Sequence, residues 1–368
     1  MASTPQADAD FDMLATQPRR TSKGVIASYV LDWAFIITKA SHNTSILVIT
    51  GGILYKITGS EHVFSLDDAN ISYPLKSDTV SITTVGIVCC VVPAVLIAAI
   101  CLFIPLPWPR RLWEWHAGWL GLALSLAGAF FLTSGLKDVV GKPRPDLLAR
   151  CQPDLANLTT YAVGGLGLQR TESPVMVTSA ICKNPDATVI KAGFAAFPSG
   201  HSSFAWAGLL YLSLWLGAKF AVSVPVRSMS FSAGDGHKKT ESSFSRASAV
   251  AAPPLYLLVL IAVPVGGALY ICASRYMDYM HAGWDILGGS LIGIVFAILG
   301  FMWYHAPAGQ GYGGWAWGPR QRVGAFGAGF GDGVCTGSGS RNMEGSRDGY
   351  QDLELGAMRA SRGVMGGA

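Results

Sequence analysis

The stretch "SITTVGIVCCVVPAVLIAAICLFIPL", Ser81 to Leu106, decides the fold class. It carries no charged residue and no polar face, so it reads as a buried or lipid-facing helix and not as an amphipathic surface helix. Crossing about 30 Å of hydrocarbon takes roughly 17 to 25 such residues. Working outward from it, comparable apolar runs occupy 118–136, 201–222, 253–273 and 282–304. A further run at 26–54 is interrupted by "KASHNTS" at 39–45. Neither half of that run is long enough to span alone, so the expectation is six transmembrane helices, with seven as the runner-up. The fold class expected is an all-α integral membrane protein.

Composition agrees. The chain of 368 residues is 51% hydrophobic and 14% charged, whereas soluble domains carry about 25% charged residues. The formal charge of +4 is too small to point to nucleic acid. Cys89, Cys90, Cys101 and Cys272 lie in apolar runs and read as packing residues. Cys151 and Cys182 lie in a polar loop, where they pair only if the loop faces an oxidising compartment; both states stay open. No Cys/His cluster has zinc spacing. The polar start, residues 1–25, lacks the apolar core of a cleavable signal, so the first span is expected to act as the signal.

Basic residues set the orientation. Arg19, Arg20 and Lys23 precede the first run, Arg110 and Arg111 follow the second, Arg227 to Arg246 follow the fourth, and Arg320 and Arg322 follow the sixth. With six spans all four segments share one side, expected to be cytoplasmic, as are both termini. Residues 55–80, 137–200 and 274–281 then share the lumenal or extracellular side. The sequons at Asn70 and Asn157 fall there, while the one at Asn43 sits inside the first run. The domain reading is a cytoplasmic N-terminal tail at 1–25, a six-span domain at 26–304 and a Gly-rich tail, expected to be disordered, at 305–368.

Three polar clusters on that second side carry the chemistry. "KDVVGKPRPD" (137–146) ends the third run: Gly141 permits a turn, and Arg144 is held extended between two prolines. Taken alone, it reads equally as positive charge at a helix end, with Lys142 peripheral. "FPSGHSS" (197–203) opens the fourth run. First-turn N–H groups attract anions, and Gly200 lets a ligand come close to the backbone beside His201. The tetrapeptide alone reads first as an ordinary capped helix. "SRYMDYMHAGWD" (274–285) places His281 and Asp285 four apart, a spacing that on a helix lets the carboxylate orient the imidazole. Arg275 is expected in the loop, where it can fork onto phosphate oxygens. Asp285 heads an apolar run, where an acid is costly without a partner. Asp278 reads as ordinary loop solvation. Together the clusters supply three cations, helix N–H groups and two histidines: an anion site with a nucleophile and an acid, and no need for a metal.

In this order and spacing the clusters resemble the type 2 phosphatidic acid phosphatase superfamily, whose motifs KxxxxxxRP, PSGH and SRxxxxxHxxxD are matched by "KDVVGKPRP" (137–145), "PSGH" (198–201) and "SRYMDYMHAGWD" (274–285). "FSLDDANISYP" (64–74) resembles a loop of the fungal lipid phosphate phosphatases, among them diacylglycerol pyrophosphate phosphatases. The resemblance implies His281 as nucleophile through a phosphohistidine, Asp285 as its orienting acid, and His201 as the group that protonates the leaving oxygen and then activates water. It implies Lys137, Arg144, Ser199, Gly200, Ser274 and Arg275 as phosphoryl-binding residues, with no cofactor and no Mg²⁺. The implied substrates are membrane lipid phosphates, phosphatidate or diacylglycerol pyrophosphate, in an endomembrane, vacuolar or plasma membrane. The alternatives are a sphingoid-base phosphate or polyprenyl pyrophosphate phosphatase, or a catalytically silent scaffold of the same fold. No feature sets the oligomeric state.

Overall fold

The computed structural model describes residues 23–36, 39–40, 43–44, 46–57, 59–163, 175–220, 254–305 and 316. The loop 224–250, nearly all of the 305–368 tail and residues 1–22 lie outside them. The chain divides into two units, Met1–Asp32 with Gly318–Ala368, and Trp33–Trp317. Of the first, residues 23–32 are described, and they are helical. All other described residues belong to the second unit.

The described residues are mainly helical. Helix α1 covers Lys23–Ile36 and α2 covers Ile46–Lys56. Between them two short strands, Lys39–Ala40 and Asn43–Thr44, pair antiparallel. The expected first span is therefore divided where "KASHNTS" breaks the apolar run, and neither piece reaches the length of a spanning helix. Four described helices are long and apolar enough to cross a membrane: α3 at Ile82–Phe103, α4 at Trp108–Val140, α6 at Leu255–Met277 and α7 at Gly283–Tyr304. Between α4 and α6 lies α5, residues 200–219, in which a π-helical turn at Trp206–Leu210 joins Gly200–Ala205 to Tyr211–Lys219. The described residues thus hold four such helices and not the six expected.

Helix α5 is central. Ala205, Ala207, Tyr211, Leu212, Trp215, Leu216 and Ala218 are all buried, and a helix apolar on every side belongs inside a bundle. All but Ala205 pack with Ile97 and Cys101 of α3, Leu122 and Leu126 of α4, and Ala297 and Phe301 of α7; Ala205 packs with Cys89 of α3 and Ala268 of α6. The outer helices keep apolar faces open, as at Leu255, Val263, Trp284, Leu291 and Trp303. In water such faces would be a liability; in a bilayer they face solvent of their own polarity.

A cap of loops sits at the end of the bundle where α4 stops and α5 starts. Its own core contains Phe64, Ile71, Leu147, Val177, Ile181 and Phe194. Strands Phe64–Ser65 and Met176–Val177 pair antiparallel within it. Cys151 and Cys182 are joined by a disulfide across the same cap, which resolves the question the sequence left open. Asn70 and Asn157 are both exposed on it.

Candidate active site

The three clusters come together at the cap end of the bundle, each on a different element. Lys137 lies in the last turn of α4, which Gly141 ends in the left-handed conformation (φ +55°), donating its N–H to the Lys137 carbonyl at 3.1 Å. A side chain there would collide with the Ser60 carbonyl, 1.9 Å from an added Cβ, so only glycine fits both the angle and the space. The Lys137 ammonium lies beside the start of α5, 3.4 Å from where a Cβ on Gly200 would be.

Ser199 caps α5, its Oγ accepting from the Ser202 N–H at 3.5 Å. Its own N–H is already used, donating to the Asp285 carbonyl at 2.9 Å. The donors left for an anion are therefore the first-turn N–H groups of Gly200 and His201. Gly289 of α7 makes this seam possible, because a Cβ there would lie 2.3 Å from the Ser199 carbonyl oxygen. The PSGH turn is thus locked onto the helix that follows His281.

Arg144 is held by its backbone, its N–H donating to the Gly193 carbonyl at 2.7 Å. Its Nη2 reaches the Ala195 carbonyl at 3.4 Å and its Nη1 the Met280 sulfur at 3.6 Å, both weak contacts, while its Nε is buried without a hydrogen bond. Burial and the neighbouring Arg150 charge lower the Arg144 pKa to about 10, so it stays cationic at neutral pH. His201 Nε2 is likewise buried and unpartnered. Buried polar atoms are almost always paired, so two orphans in one cluster mark a place built for another group.

His281 does not lie on α7, which begins at Gly283; it precedes the helix by two residues. The expected helical pairing with Asp285 is therefore absent. Nδ1 of His281 instead faces the Ala196 carbonyl at 2.7 Å. A carbonyl oxygen only accepts, so the proton sits on Nδ1 and Nε2 keeps its lone pair. Burial first, then the positive charges of Arg144 and Lys137, push the His281 pKa well below the ordinary 6.5, so the ring is neutral at physiological pH. The group that fixes the tautomer is a backbone carbonyl, which leaves no mark in sequence.

Asp285 has other partners. One carboxylate oxygen accepts from Lys142 Nζ at 2.7 Å and the other from the Ala282 N–H at 2.9 Å. It caps its own helix and, through Ala282, fixes the turn that carries His281. Lys142, read from sequence as peripheral, is the counter-ion that makes a fully buried acid tolerable here.

Arg275 and Asp278 also differ from expectation. Arg275 is in the last turn of α6, not in the loop, and is 1% exposed. Ser274, read as a phosphoryl ligand, gives its hydroxyl proton to the Ile271 carbonyl and accepts from Arg275 Nε at 3.2 Å, so it orients the arginine. Asp278 is fully buried: it accepts from Arg275 Nη2 at 2.9 Å and from the Thr79 N–H and Oγ at 2.8 and 2.6 Å. Burial alone would raise its pKa, but the Thr79 hydrogen bonds and the Arg275 charge outweigh it and hold the carboxyl below its ordinary value. It is an anchor between the third cluster and residues 76–80, not a solvated loop acid. Sequence reasoning also missed the buried Asp146–Arg150 pair at 2.6 Å, although their spacing of four on a short helix was a usable signal.

Residues 118–307, just over half of the chain, match the PAP2 superfamily. The chain belongs to the PAP2 superfamily. Among curated relatives, lipid phosphate phosphatase 2 of Arabidopsis thaliana is 28% identical over 277 residues, 75% of this chain and 79% of the relative. The probable diacylglycerol pyrophosphate phosphatase 1 of Schizosaccharomyces pombe is 31% identical over 64% of this chain and 68% of its own length. Diacylglycerol pyrophosphate phosphatase 1 of Saccharomyces cerevisiae is 27% identical over 68% and 74%. No solved structure matches the chain. Membership makes the chain a hydrolase of the phosphatase class, and its apolar helices make it an integral membrane protein.

Proposed function

We propose that this PAP2 member hydrolyses membrane lipid phosphates, phosphatidate to diacylglycerol or diacylglycerol pyrophosphate to phosphatidate, by way of a phosphohistidine on His281. The observation that carries the reading is the state of His281: neutral, its proton pinned on Nδ1 by the Ala196 carbonyl, its Nε2 lone pair free, with Arg144, Lys137 and His201 as its electrostatic neighbours.

In the first step Nε2 attacks phosphorus, the phosphorus–oxygen bond to the lipid breaks, and His201 gives its proton to the leaving oxygen; burial and the Arg275 charge hold its pKa down to about 4 in the free protein, and the bound phosphate dianion raises it so that the ring carries that proton. In the second, His201 takes a proton from water, which attacks phosphorus and frees His281 and inorganic phosphate. Lys137, Arg144, Arg275 and the N–H groups of Gly200 and His201 bind the phosphoryl oxygens. These three cations occupy the role that Mg²⁺ plays in other phosphoryl-transfer sites, so the activity is independent of it. Ser199 and Ser274 act by holding the PSGH turn and Arg275 in place, and Asp285 by fixing the turn at Ala282.

The site opens at the lumenal or extracellular face of an endomembrane, vacuolar or plasma membrane, with both termini cytoplasmic and the catalytic domain spanning 26–304. The Cys151–Cys182 disulfide and the exposed Asn70 and Asn157 sequons in the cap support that orientation. A site at the bundle end lets acyl chains stay in the bilayer while the head group reaches the cations. The reading is tested by phosphate release from a panel of lipid phosphates in EDTA, using wild type and His281→Ala. We expect release by wild type alone; loss of wild-type activity in EDTA, or full activity in the variant, contradicts it.

A further inference from the structure

The guanidinium of Arg275 is held between two carboxylates. Nη2 is paired with Asp278 at 2.9 Å and Nη1 with Asp78 at 2.7 Å, while Nε is taken by Ser274 Oγ. Three of the five N–H donors are taken, and a phosphate dianion approaching Nη1 meets the like charge of the carboxylate already bonded there. The two carboxylates are not equal. Asp278 has no exposed side-chain surface and is fastened by Thr79 through two hydrogen bonds and by Lys76 at 3.6 Å. Asp78 is 46% exposed, and Arg275 is its one hydrogen-bonding partner among the described residues. The Asp78 charge also acts on Arg144 and His201, so this carboxylate lies within electrostatic reach of the anion site.

We propose that Asp78 is an exchangeable carboxylate, which occupies Nη1 of Arg275 in the resting enzyme, yields it to a phosphoryl oxygen of the substrate, and so sets the affinity of the site for phosphate. The inference rests on the reading that Arg275 binds the phosphoryl group. Asp78 is a positioning residue and does not touch the reacting atoms. Its backbone is already anchored: the next residue, Thr79, is bonded to Asp278, and Lys76 Nζ donates to the Met277 carbonyl at 3.1 Å. When the ion pair opens, the side chain has solvent to turn into while the loop stays in place. A dianionic phosphate replacing a monoanionic carboxylate gains charge against the same arginine, which drives the exchange.

The test is Asp78→Asn in the purified full-length protein, with KM and kcat for a lipid phosphate in mixed micelles and inhibition by inorganic phosphate measured together. Removing the competing charge lowers KM and the phosphate inhibition constant together by about fivefold, the scale of a partly exposed ion pair, and leaves kcat within about twofold. Unchanged KM and inhibition constant would overturn the proposal, as would a joint rise in KM and fall in kcat, the pattern of a merely structural support. Failure of the phosphatase reading is separate: wild type would release no phosphate from any lipid. Inorganic phosphate still reports on Arg275 in that case, through protection against thermal unfolding. The proposal then requires Asp78→Asn to be protected at about fivefold lower phosphate than wild type, and equal protection rejects it.

Discussion

The bundle has charged clusters at both ends, and they are built in opposite ways. At the end opposite the cap, Glu114 of α4 is fully buried and saturated. It is paired with Arg110 at 2.8 Å and with Lys219 of α5, and accepts the Ala316 N–H at 3.1 and 3.2 Å. Arg110 returns a bond to the Ala316 carbonyl at 2.9 Å. At the cap end, Arg144 Nε and His201 Nε2 are buried with nothing to bond, and Lys137 makes no ion pair among the described residues. One end saturates its buried acid; the other, beside its own ion pairs, keeps buried nitrogens of Arg144 and His201 without partners. His305 is the exception at the closed end: its ring nitrogens are unpartnered, though the ring stacks on Phe301 at 5.1 Å. The difference separates charge that holds the bundle together from charge that awaits a ligand.

The largest effect expected from breaking this contrast is at His281. His281→Ala should lower kcat for phosphate release by about a thousandfold or more, with the fold intact by thermal unfolding. Next is Asp285. Because its carboxylate meets Lys142 and Ala282 and not the imidazole, Asp285→Asn should cost roughly ten- to a hundredfold in kcat. A loss near 10⁴, as seen when a directly paired triad acid is neutralised, would mean the two side chains meet in the working enzyme. At the closed end, Glu114→Gln strips a partner from the buried Lys219 and from the half-buried Arg110 and should destabilise the fold by about 3 kcal/mol, read as a lower midpoint of thermal unfolding. KM and kcat of the folded protein should not move, and a selective loss of kcat would erase the distinction between the ends.

The smallest effect is in pH dependence. A nucleophile is active when deprotonated, so its acid limb follows its own pKa. With His281 pushed below 6.5 by burial and by Arg144 and Lys137, the acid limb of kcat should lie below pH 6.5. Burial and the Arg275 charge push the His201 pKa down to about 4 in the substrate-free protein, so an alkaline limb, and with it a bell, requires the bound phosphate dianion to raise that pKa. An acid midpoint above 6.5 would mean that His281 is not the neutral group described.

Much of this was legible in the sequence because it is carried by side chains in order along the chain. The apolar runs announce the long helices; "KASHNTS" is visible as an interruption, yet the single span expected at 26–54 is broken there into α1 and α2. Helix limits were read too short where polar residues extend a helix beyond the hydrocarbon. Helix α4 runs from Trp108 to Val140, including Arg110, Glu114 and Lys137, whereas the apolar run covers 118–136. The same effect hid Arg275, which sits one turn beyond the apolar part of α6 but still on the helix. Contacts made by the backbone or by distant loops were not legible at all. The Ala196 carbonyl has no sequence signature. Asp278 becomes a buried anchor only once residues 76–80, some two hundred positions earlier, fold against it. The i, i+4 rule failed for His281 and Asp285 because the helix starts after the histidine, at Gly283.

The proposed reaction passes through a covalent bond between His281 Nε2 and phosphorus. The most direct measurement is a rapid alkaline quench of the purified enzyme during turnover of a lipid carrying radiolabelled phosphate, followed by peptide mapping. We expect label on the protein, stable to alkali and lost in acid as a phosphohistidine is, on the peptide containing His281 and absent in His281→Ala. Turnover with no protein-bound label, together with inversion of configuration at a chiral phosphorus, would contradict it.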